Sequence, residues 1–240
     1  MKVLHLNAAY GTIMRGALTD GLKFHRYLIR NKRTKIKFVE LFLDLIKREK
    51  PDIIFFTEIK MNDILLDRLK MAYPHFHFSS KYGDSWASKL PMSKNNVNGF
   101  FSTIKPDLVD QIHLKIGEKK LVLHTQIQGF DFFLTHLTPA KRVRTKQFLD
   151  LCFFINNFKI KKHMIILGDF NTYYGLKEFP KCLSDFKISI RKKTFPSKHP
   201  LFILDNFLLS KDIRYRTKVL DDVISDHLPI VLNLFKKNGK

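Results

Sequence analysis

Acidic, amide and imidazole side chains follow several short apolar runs in this sequence, at the positions where hydrolytic chemistry would need them. The clearest case is the run 163–167, after which the chain turns polar at Asp169 and Asn171. Consecutive apolar residues that end at a glycine predict a buried strand, and the carboxyl ends of such strands are where open sheets keep their active sites. A turn of this composition is also common in plain loops, because Asp and Asn bond their own backbone. The motif is therefore informative only if it has partners elsewhere.

Such partners occur along the whole chain. The following polar residues stand at or near the ends of predicted strands and can bind a divalent cation or move a proton: Asn7, Glu58, His136, Asp205, Asp226 and His227. Each has an ordinary explanation by itself: Glu58 as a solvated carboxylate, His136 as a core histidine, and Asp226 as the cap of a turn. Their joint occurrence at strand ends predicts a single site.

In their order along the chain, these residues and their neighbours resemble the motifs of the endonuclease/exonuclease/phosphatase superfamily of metal-dependent phosphoesterases. The matching segments are Leu6-Asn7, Pro51-Asp52-Ile53-Ile54 with Glu58, Asn98-Gly99 with Ser102, Thr135-His136-Leu137, Gly168-Asp169-Phe170-Asn171, Leu204-Asp205 with the residues to Ser210, and Ser225-Asp226-His227 with Pro229. Thr194-Phe195-Pro196-Ser197 also resembles the family's usual approach to the Asp205 strand. Each motif is loose, but their order is specific and covers nearly the whole chain.

The resemblance implies a metal site. Glu58 would be the principal ligand of Mg²⁺ or Mn²⁺, with Asn7 and Asp226 nearby. Carboxylate and amide oxygens are the ligands that such hard cations prefer.

Five residues receive catalytic roles from the same resemblance. Asp169 would activate or orient the attacking water, and Asn171 would hold a phosphate oxygen. His227, oriented by Asp205, would stabilise the charge of the transition state, and His136 would contact the phosphate or the leaving group. Phosphoester hydrolysis needs a nucleophilic water, positive charge at the phosphate oxygens and help for the leaving oxygen, so the roles are coherent. A carboxylate beside a histidine also raises the histidine pKa, which favours an imidazolium at neutral pH.

Charge and the histidine at position 136 bear on the substrate. The chain has 43 Lys and Arg against 22 Asp and Glu, a formal charge of +21, which predicts attraction to polyanions such as nucleic acid or an anionic membrane. A lysine-rich composition can also reflect an AT-rich genome. Histidine at 136 resembles the pancreatic-type deoxyribonucleases, the sphingomyelinases and many phosphatases, whereas members that cleave abasic sites usually have an asparagine-containing loop there. The segment between Asn7 and Lys35 is unusually basic and glycine-broken for the family, which leaves the substrate open.

Three functions remain under consideration. The leading prediction is a Mg²⁺-dependent phosphodiesterase that hydrolyses DNA or RNA, with Arg142 and Arg144 on the substrate phosphates. Further basic residues beside the predicted site are Lys141, Lys146, Arg191, Lys192, Lys193 and Lys198. One alternative takes a phospholipid or phosphoinositide at an anionic membrane, where Trp86 in the polar stretch 79–98 would be an interfacial anchor or would simply pack in its loop. The other is a catalytically silent nucleic-acid-binding module with the same fold.

Apolar periodicity predicts the elements that must position these residues. Strands are expected at 3–7, 52–58, 99–104, 108–114, 120–127, 130–137, 163–169, 202–209 and 229–234, and helices at 35–47, 64–71 and 142–158. The segments between 99 and 137 are expected to pair antiparallel. The resemblance implies the α/β (α+β) class, a four-layer αββα sandwich of two mostly antiparallel sheets packed face to face with helices outside. We expect a single domain, 1–240.

The two cysteines and the amino terminus bear on the compartment. Cys152 and Cys182 stand among apolar neighbours without metal-binding spacing, so we predict buried free thiols in a reducing compartment and no disulfide. The amino terminus lacks the apolar stretch of a signal peptide, and no apolar run approaches the length of a membrane span. We therefore expect a soluble cytoplasmic monomer.

Overall fold

Two β-sheets and three α-helices make up the regular structure of residues 1–11, 32–60, 63–82, 96–158 and 163–235, the ranges that the computed structural model describes. The strands are β1 (Lys2–Asn7), β2 (Ile53–Lys60), β3 (His75–Ser80), β4 (Asn96–Ser102), β5 (Leu108–His113), β6 (Leu121–Ile127), β7 (Phe130–His136), β8 (Met164–Asp169), β9 (Phe186–Ile188), β10 (Asp205–Ser210), β11 (Arg214–Val219) and β12 (Ile230–Phe235). The helices are α1 (Lys32–Glu49), α2 (Asp63–Lys70) and α3 (Lys141–Asn157).

Each sheet contains six of these strands. The first sheet has the order β11-β12-β1-β2-β4-β3, and the second has the order β5-β6-β7-β8-β10-β9. Within the described ranges, neighbouring strands are antiparallel except for β1 with β2 and β7 with β8, which are parallel. The antiparallel pairing predicted between residues 99 and 137 is confirmed for β5, β6 and β7. It is wrong for β4, which lies in the first sheet and pairs there with β2 and β3.

Three apolar clusters define the layers. Between the sheets, Phe55 of β2 packs on Phe132 of β7 with ring centroids 5.4 Å apart. Successive side chains of a strand point to opposite faces, so Phe56 points outward and packs on Phe42 of α1 at 5.1 Å. On the far side, Phe148 and its neighbours in α3 cover the second sheet. The layers therefore run helix, sheet, sheet, helix, and the predicted αββα sandwich is confirmed.

The two parallel strand pairs position the candidate site. In the first sheet, Asn7 lies opposite Thr57, so Asn7 and Glu58 reach the same sheet edge. In the second sheet, His136 lies opposite Asp169, and Asp205 of antiparallel β10 also lies opposite Asp169. The carboxyl ends of parallel strands share one edge of a sheet, which explains why residues far apart in sequence meet here.

Gly168 allows β7 and β8 to approach each other directly before Asp169. Its φ is +136°, and a Cβ at this position would lie 1.8 Å from the carbonyl oxygen of Thr135. Because that oxygen belongs to the paired strand, a larger residue would push β8 away from β7. The glycine that marked the strand end in the sequence is therefore a packing requirement of the site.

The predicted elements differ from the structure mainly at the sheet edges. Strands β3, β9 and β11 were not predicted, and all three are edge strands. The strand predicted at 202–209 begins at Asp205, because Phe202 forms an isolated bridge with Phe195. The ends of the polar stretch 79–98 belong to β3 and β4, while Trp86 lies outside the described residues, as does most of the basic segment between Asn7 and Lys35.

The prediction of two free cysteines is wrong. Cys152 of α3 forms a disulfide with Cys182, which lies in the short 3₁₀ helix Lys181–Leu183. Both residues pack in the apolar cluster under α3, so the neighbours that suggested buried thiols are equally those of a covalent link. Disulfides persist mainly in oxidising compartments, and the prediction of a reducing compartment therefore loses its support from the cysteines. In the described ranges, no helix combines the length and apolarity needed to span a membrane.

Candidate active site

The sequence-predicted site residues from both sheets meet at one end of the sandwich. One link between the sheets is a hydrogen bond of 2.9 Å from Nδ2 of Asn7 in β1 to Oδ2 of Asp169 in β8. Six of the predicted residues are buried there: Asn7, His136, Asp169, Asn171, Asp205 and His227. Glu58 and Asp226 are partly buried.

His227 and Asp205 form a hydrogen-bonded pair. Nδ1 of His227 donates to Oδ2 of Asp205 at 2.7 Å, and the hydroxyl of Thr194 donates to the same oxygen at 2.7 Å. Burial by itself lowers the pKa of His227, but the Asp205 carboxylate outweighs it and raises that pKa to about 10. His227 in turn holds the pKa of Asp205 below its usual value despite burial. The pair is therefore an imidazolium and a carboxylate at neutral pH.

Asp169 is fixed on both of its oxygens. The backbone N–H of Asn171 donates to Oδ1 at 2.9 Å, while Oδ2 accepts the Asn7 amide and lies 3.4 Å from Nε2 of His136 and 4.0 Å from Nε2 of His227. Burial, helped by repulsion from Asp205, raises the pKa of Asp169 to about 7, although His227 opposes the shift. A buried carboxylate of this pKa can accept a proton near neutrality.

Asn171 and His136 border Asp169. Asn171 has a φ of +53°, and its side-chain amide donates to the carbonyl oxygen of Leu137 at 2.8 Å, which fixes the turn after β8 to the end of β7. Burial, with the nearby charge of Lys119, holds the pKa of His136 well below its usual value. His136 is therefore a neutral imidazole, unlike His227.

Glu58 lies at an irregularity in β2. The pairing with β4 shifts register between Phe56 and Ile59, and Glu58 has a φ of +52°, with its N–H donating to Oδ1 of Asn98 at 3.1 Å. Bulges of this kind re-aim a side chain and are frequent beside active sites. Here the bulge turns the carboxylate toward the end of the sandwich where Asp169 lies.

Three donors that were not predicted surround Oε1 of Glu58. The hydroxyl of Tyr10 donates at 2.8 Å, Nζ of Lys81 lies at 2.9 Å and Nζ of Lys119 at 3.4 Å. Burial alone would raise the pKa of Glu58, but the two ammonium groups hold it well below the usual value. No pattern distinguished these lysines in a chain with 43 Lys and Arg.

Two places in the site differ in how well they suit a metal ion. Asp169, Asp205 and His227 each offer a ligand atom, and these atoms lie within 4.8 Å of one another. His227 could ligate an ion only after losing the proton that Asp205 stabilises. At Glu58, by contrast, the carboxylate oxygen already accepts three donors, and ammonium groups repel a cation and cannot ligate it. Mg²⁺ is bound by carboxylate oxygens and by water. Two ammonium groups stand at Oε1 instead, so Glu58 in this arrangement does not fit a divalent ion.

The other two predicted metal ligands, Asn7 and Asp226, interact with neighbouring residues of the site. Asn7 donates its amide to Asp169, and its Oδ1 accepts the N–H of Ala9 at 3.1 Å. Asp226 contributes to the raised pKa of the adjacent His227, and its backbone carbonyl accepts the N–H of Ser197 at 2.7 Å. In this arrangement Asn7 therefore holds the Asp169 carboxylate, and the charge of Asp226 favours the protonated form of His227.

Arg144 does not present its guanidinium to solvent, contrary to its predicted contact with substrate phosphates. It is fully buried, donates to Oε2 of Glu178, and donates to the carbonyl oxygens of Thr138 and Pro139 at 3.1 and 2.6 Å. Arg144 therefore braces the turn after His136. Arg142, two residues earlier in α3, is exposed, as a phosphate contact requires.

Two further residues behind the pair were missed for different reasons. Thr194 lies in the segment that resembled the family's approach to Asp205, but only the structure shows its bond to that carboxylate. His5 precedes Asn7 by two residues, and its Nδ1 lies 3.8 Å from Oδ1 of Asp205, with burial lowering the His5 pKa to about 4. Residues two apart on a strand share a face, so period-two spacing from Asn7 could have indicated His5.

Comparison with known proteins agrees with this geometry. Residues 36–227 match the Endonuclease/Exonuclease/phosphatase family. The chain belongs to this family. Endonuclease/exonuclease/phosphatase proteins are phosphoesterases, so membership identifies the reaction class as phosphoester hydrolysis. No curated protein sequence matches the chain.

Solved structures of the same fold include proteins from animals and bacteria. They include the human Nocturnin catalytic domain with a bound sulfate anion (TM-score 0.69, 18% identity, covering 98% of this chain and 94% of that chain). Another is truncated TDP2 from Caenorhabditis elegans (TM-score 0.66, 18% identity, covering 98% of this chain and 97% of that chain). A third is the mannosyl-6-phosphatase Bt3783 from Bacteroides thetaiotaomicron VPI-5482 (TM-score 0.70, 15% identity, covering 98% of this chain and 100% of that chain). At these identities the likeness establishes the fold alone.

Proposed function

We propose that this protein is a phosphodiesterase that hydrolyses nucleic acid, by attack of a water molecule on a backbone phosphate. The observation that carries the proposal is the pairing of Asp169, whose pKa is about 7, with an imidazolium at His227 whose Nε2 lies 4.0 Å from it. A base and a cation side by side, both buried, match two needs of phosphoester hydrolysis: a group that activates the water and positive charge at the phosphate oxygens.

The residues around Asp169 each have a role in the proposed reaction. Asp169 accepts a proton from the attacking water, since both its oxygens are held in place and its pKa suits proton transfer near neutrality. His227 places a positive Nε2–H against the phosphate oxygens, and Asp205 keeps it protonated and oriented. His136 and Asn171 border the same space, where they contact the phosphate or the leaving oxygen. The Mg²⁺ or Mn²⁺ that the sequence predicted at Glu58 has no part in these steps.

Exposed cations favour nucleic acid as the substrate. The exposed lysines and arginines of α3 and of the segment before β10 are Lys141, Arg142, Lys146, Arg191, Lys192, Lys193 and Lys198. Together with the formal charge of +21, they provide contacts for several phosphates of one polyanion, and such binding weakens steeply with added salt. A single headgroup or sugar phosphate would use few of them.

Hydrolysis of plasmid DNA and RNA, compared with release of headgroup or phosphate from anionic phospholipid and phosphoinositide vesicles, tests the proposal. We expect cleavage of nucleic acid, its loss in Asp169→Ala and His227→Ala, and none of the vesicle reaction. Asp221→Ala and His113→Ala, which change exposed residues of the same types, are the matched controls. Hydrolysis of the vesicles without cleavage of nucleic acid would assign a lipid substrate. Nucleic-acid binding with no hydrolysis of any substrate would show a silent binding module.

A further inference from the structure

Two lysines are built into the site around Glu58. Lys81 has a side chain only 2% exposed, and that of Lys119 is 17% exposed, with Nζ distances of 2.9 and 3.4 Å to Oε1 of Glu58. Lys81 also contacts the hydroxyl of Tyr10, and Lys119 contacts Nε2 of His136. Buried lysines are rare unless they are paired, so both positions require an explanation.

The backbone holds these lysines in place from both sheets. Lys81 directly follows β3 of the first sheet, and Lys119 precedes β6 of the second. The N–H of Lys120 donates to the carbonyl oxygen of Lys81 at 3.1 Å, and Nε2 of Gln147, a buried residue of α3, donates to the carbonyl oxygen of Lys119 at 2.7 Å. The convergence is therefore part of the fold, in contrast to a chance meeting of two flexible side chains.

The charge balance at Glu58 is opposite to that of a cation site. One carboxylate faces two ammonium groups, so the local sum is positive before any ion binds. A divalent cation beside them would meet repulsion that a partly buried site screens poorly. It would also compete with three donors for Oε1, an oxygen that a carboxylate must keep open to coordinate Mg²⁺ or Mn²⁺.

We propose that Lys81 and Lys119 together supply the positive charge that a divalent ion at Glu58 would otherwise supply, so that this site binds no such ion and hydrolysis proceeds without one. The ammonium groups bind the non-bridging oxygens of the scissile phosphate, and Glu58 with Tyr10 keeps them oriented. Lysine is a point charge suited to phosphate. The proposal rests on the proposed phosphodiesterase function for its catalytic part, but its statement about ion binding stands independently.

Direct measurement of Mn²⁺ binding, by electron paramagnetic resonance of the free ion, tests the binding part. We expect no Mn²⁺ on the unmodified chain that depends on Glu58. The double variant Lys81→Gln/Lys119→Gln should gain one Mn²⁺ per chain, which Glu58→Gln in the same background should remove. Glu58→Gln in the unmodified chain distinguishes the two possible sites, because an ion held by Asp169, Asp205 and His227 would remain bound in this variant. One bound Mn²⁺ per unmodified chain that Glu58→Gln abolishes would overturn the proposal.

Hydrolysis of the substrate in EDTA and in Mg²⁺ tests the catalytic part. The rates should be equal for the unmodified chain, and Lys119→Gln should lower kcat by roughly 10²-fold, the cost of removing one preorganised donor from a transition state. Lys105→Gln, at an exposed lysine away from the site, is the matched control. Loss of hydrolysis in EDTA with recovery in Mg²⁺ would refute the statement that hydrolysis proceeds without a divalent ion. If no substrate is hydrolysed at all, the proposed function fails, while the Mn²⁺ result still decides this inference.

Discussion

The two halves of the site have opposite charge arrangements. Around His227 in the acidic half, one imidazolium lies among carboxylates, with Asp205 bonded at 2.7 Å and Asp169 at 4.0 Å. Around Glu58 in the basic half, one carboxylate lies among two ammonium groups. The acidic half can therefore accept a proton at Asp169, whereas the basic half supplies fixed positive charge from its two ammonium groups.

Bracing also distinguishes the two halves. Asp169 lies in the second sheet, whose outer face is covered by α3, and that layer holds the Cys152–Cys182 disulfide and the buried Arg144–Glu178 ion pair. The first sheet, which holds Glu58, is covered by α1 through apolar packing. A general base needs a rigid support, since small displacements from its productive geometry cost much of its rate.

Asp169→Asn breaks the acidic half directly and has the largest expected effect. The amide cannot accept the proton of the attacking water, so kcat should fall by about 10³-fold, the usual range for removing a general base. Single-turnover hydrolysis measures this loss, and thermal unfolding shows whether the variant is folded. A folded variant that retains most of its activity would remove Asp169 from the reaction.

Arg144→Ala tests the support beneath the acidic half. The substitution leaves Glu178, whose side chain is 8% exposed, without its partner, and breaking a buried pair costs about 3 to 5 kcal/mol of unfolding free energy. Urea unfolding measures the change. Replacing both partners, as Arg144→Met/Glu178→Leu, should recover part of it. If Arg144→Ala lowers activity without lowering stability, the guanidinium acts on substrate after all.

The disulfide is a second brace, with a somewhat smaller effect. It closes a loop of 30 residues, so Cys152→Ser/Cys182→Ser should lower the unfolding free energy by about 3 kcal/mol. Reduction of the unmodified chain should give a similar loss in a melting curve. Because the bond lies behind α3, kcat at low temperature should change little, and a large loss of kcat would show that the acidic half depends on it directly.

The pH profile sharpens the comparison by showing which half titrates. Asp169 must be ionised and His227 protonated, so kcat/KM should rise through a pKa of about 7 and fall through one of about 10. Asp205→Asn removes the charge that raises both values, and both limbs should therefore move to lower pH, the alkaline limb further. We expect kcat/KM at pH 8 to fall roughly tenfold, because the protonated fraction of His227 falls tenfold when its pKa lies one unit below the pH of the assay. If the alkaline limb does not move, deprotonation of His227 is not the cause of that limb.

Arg142→Ala should have the smallest effect. Its exposed guanidinium contributes one contact among several, so KM for DNA should rise only about twofold to fivefold at low salt, with kcat unchanged. The salt dependence of binding should become shallower by about one phosphate contact. An unchanged salt dependence would place the substrate on another surface.

Strand ends were predictable because their signal is local. Apolar runs that end in polar residues located β1, β2, β7 and β8 and the residues at their carboxyl ends. By contrast, β11 was missed because Arg214, Arg216 and Lys218 alternate along an exposed edge. The lysines at Glu58 were not predictable, because their burial depends on how two loops from different sheets meet. The disulfide was missed for the same reason, since Cys152 and Cys182 are brought together by α3 packing.

Because the hydrogen bond between Asn7 and Asp169 crosses from one sheet to the other, we expect the activity to depend on the spacing between the sheets. It joins β1 of one sheet to β8 of the other over 2.9 Å, while the aromatic contact of Phe55 with Phe132 sets the same gap deeper in the core. A core substitution that lets the sheets slide would stretch this bond and release the general base. Catalysis would then decline before unfolding is detectable, so turnover should report on core packing in variants that melt normally.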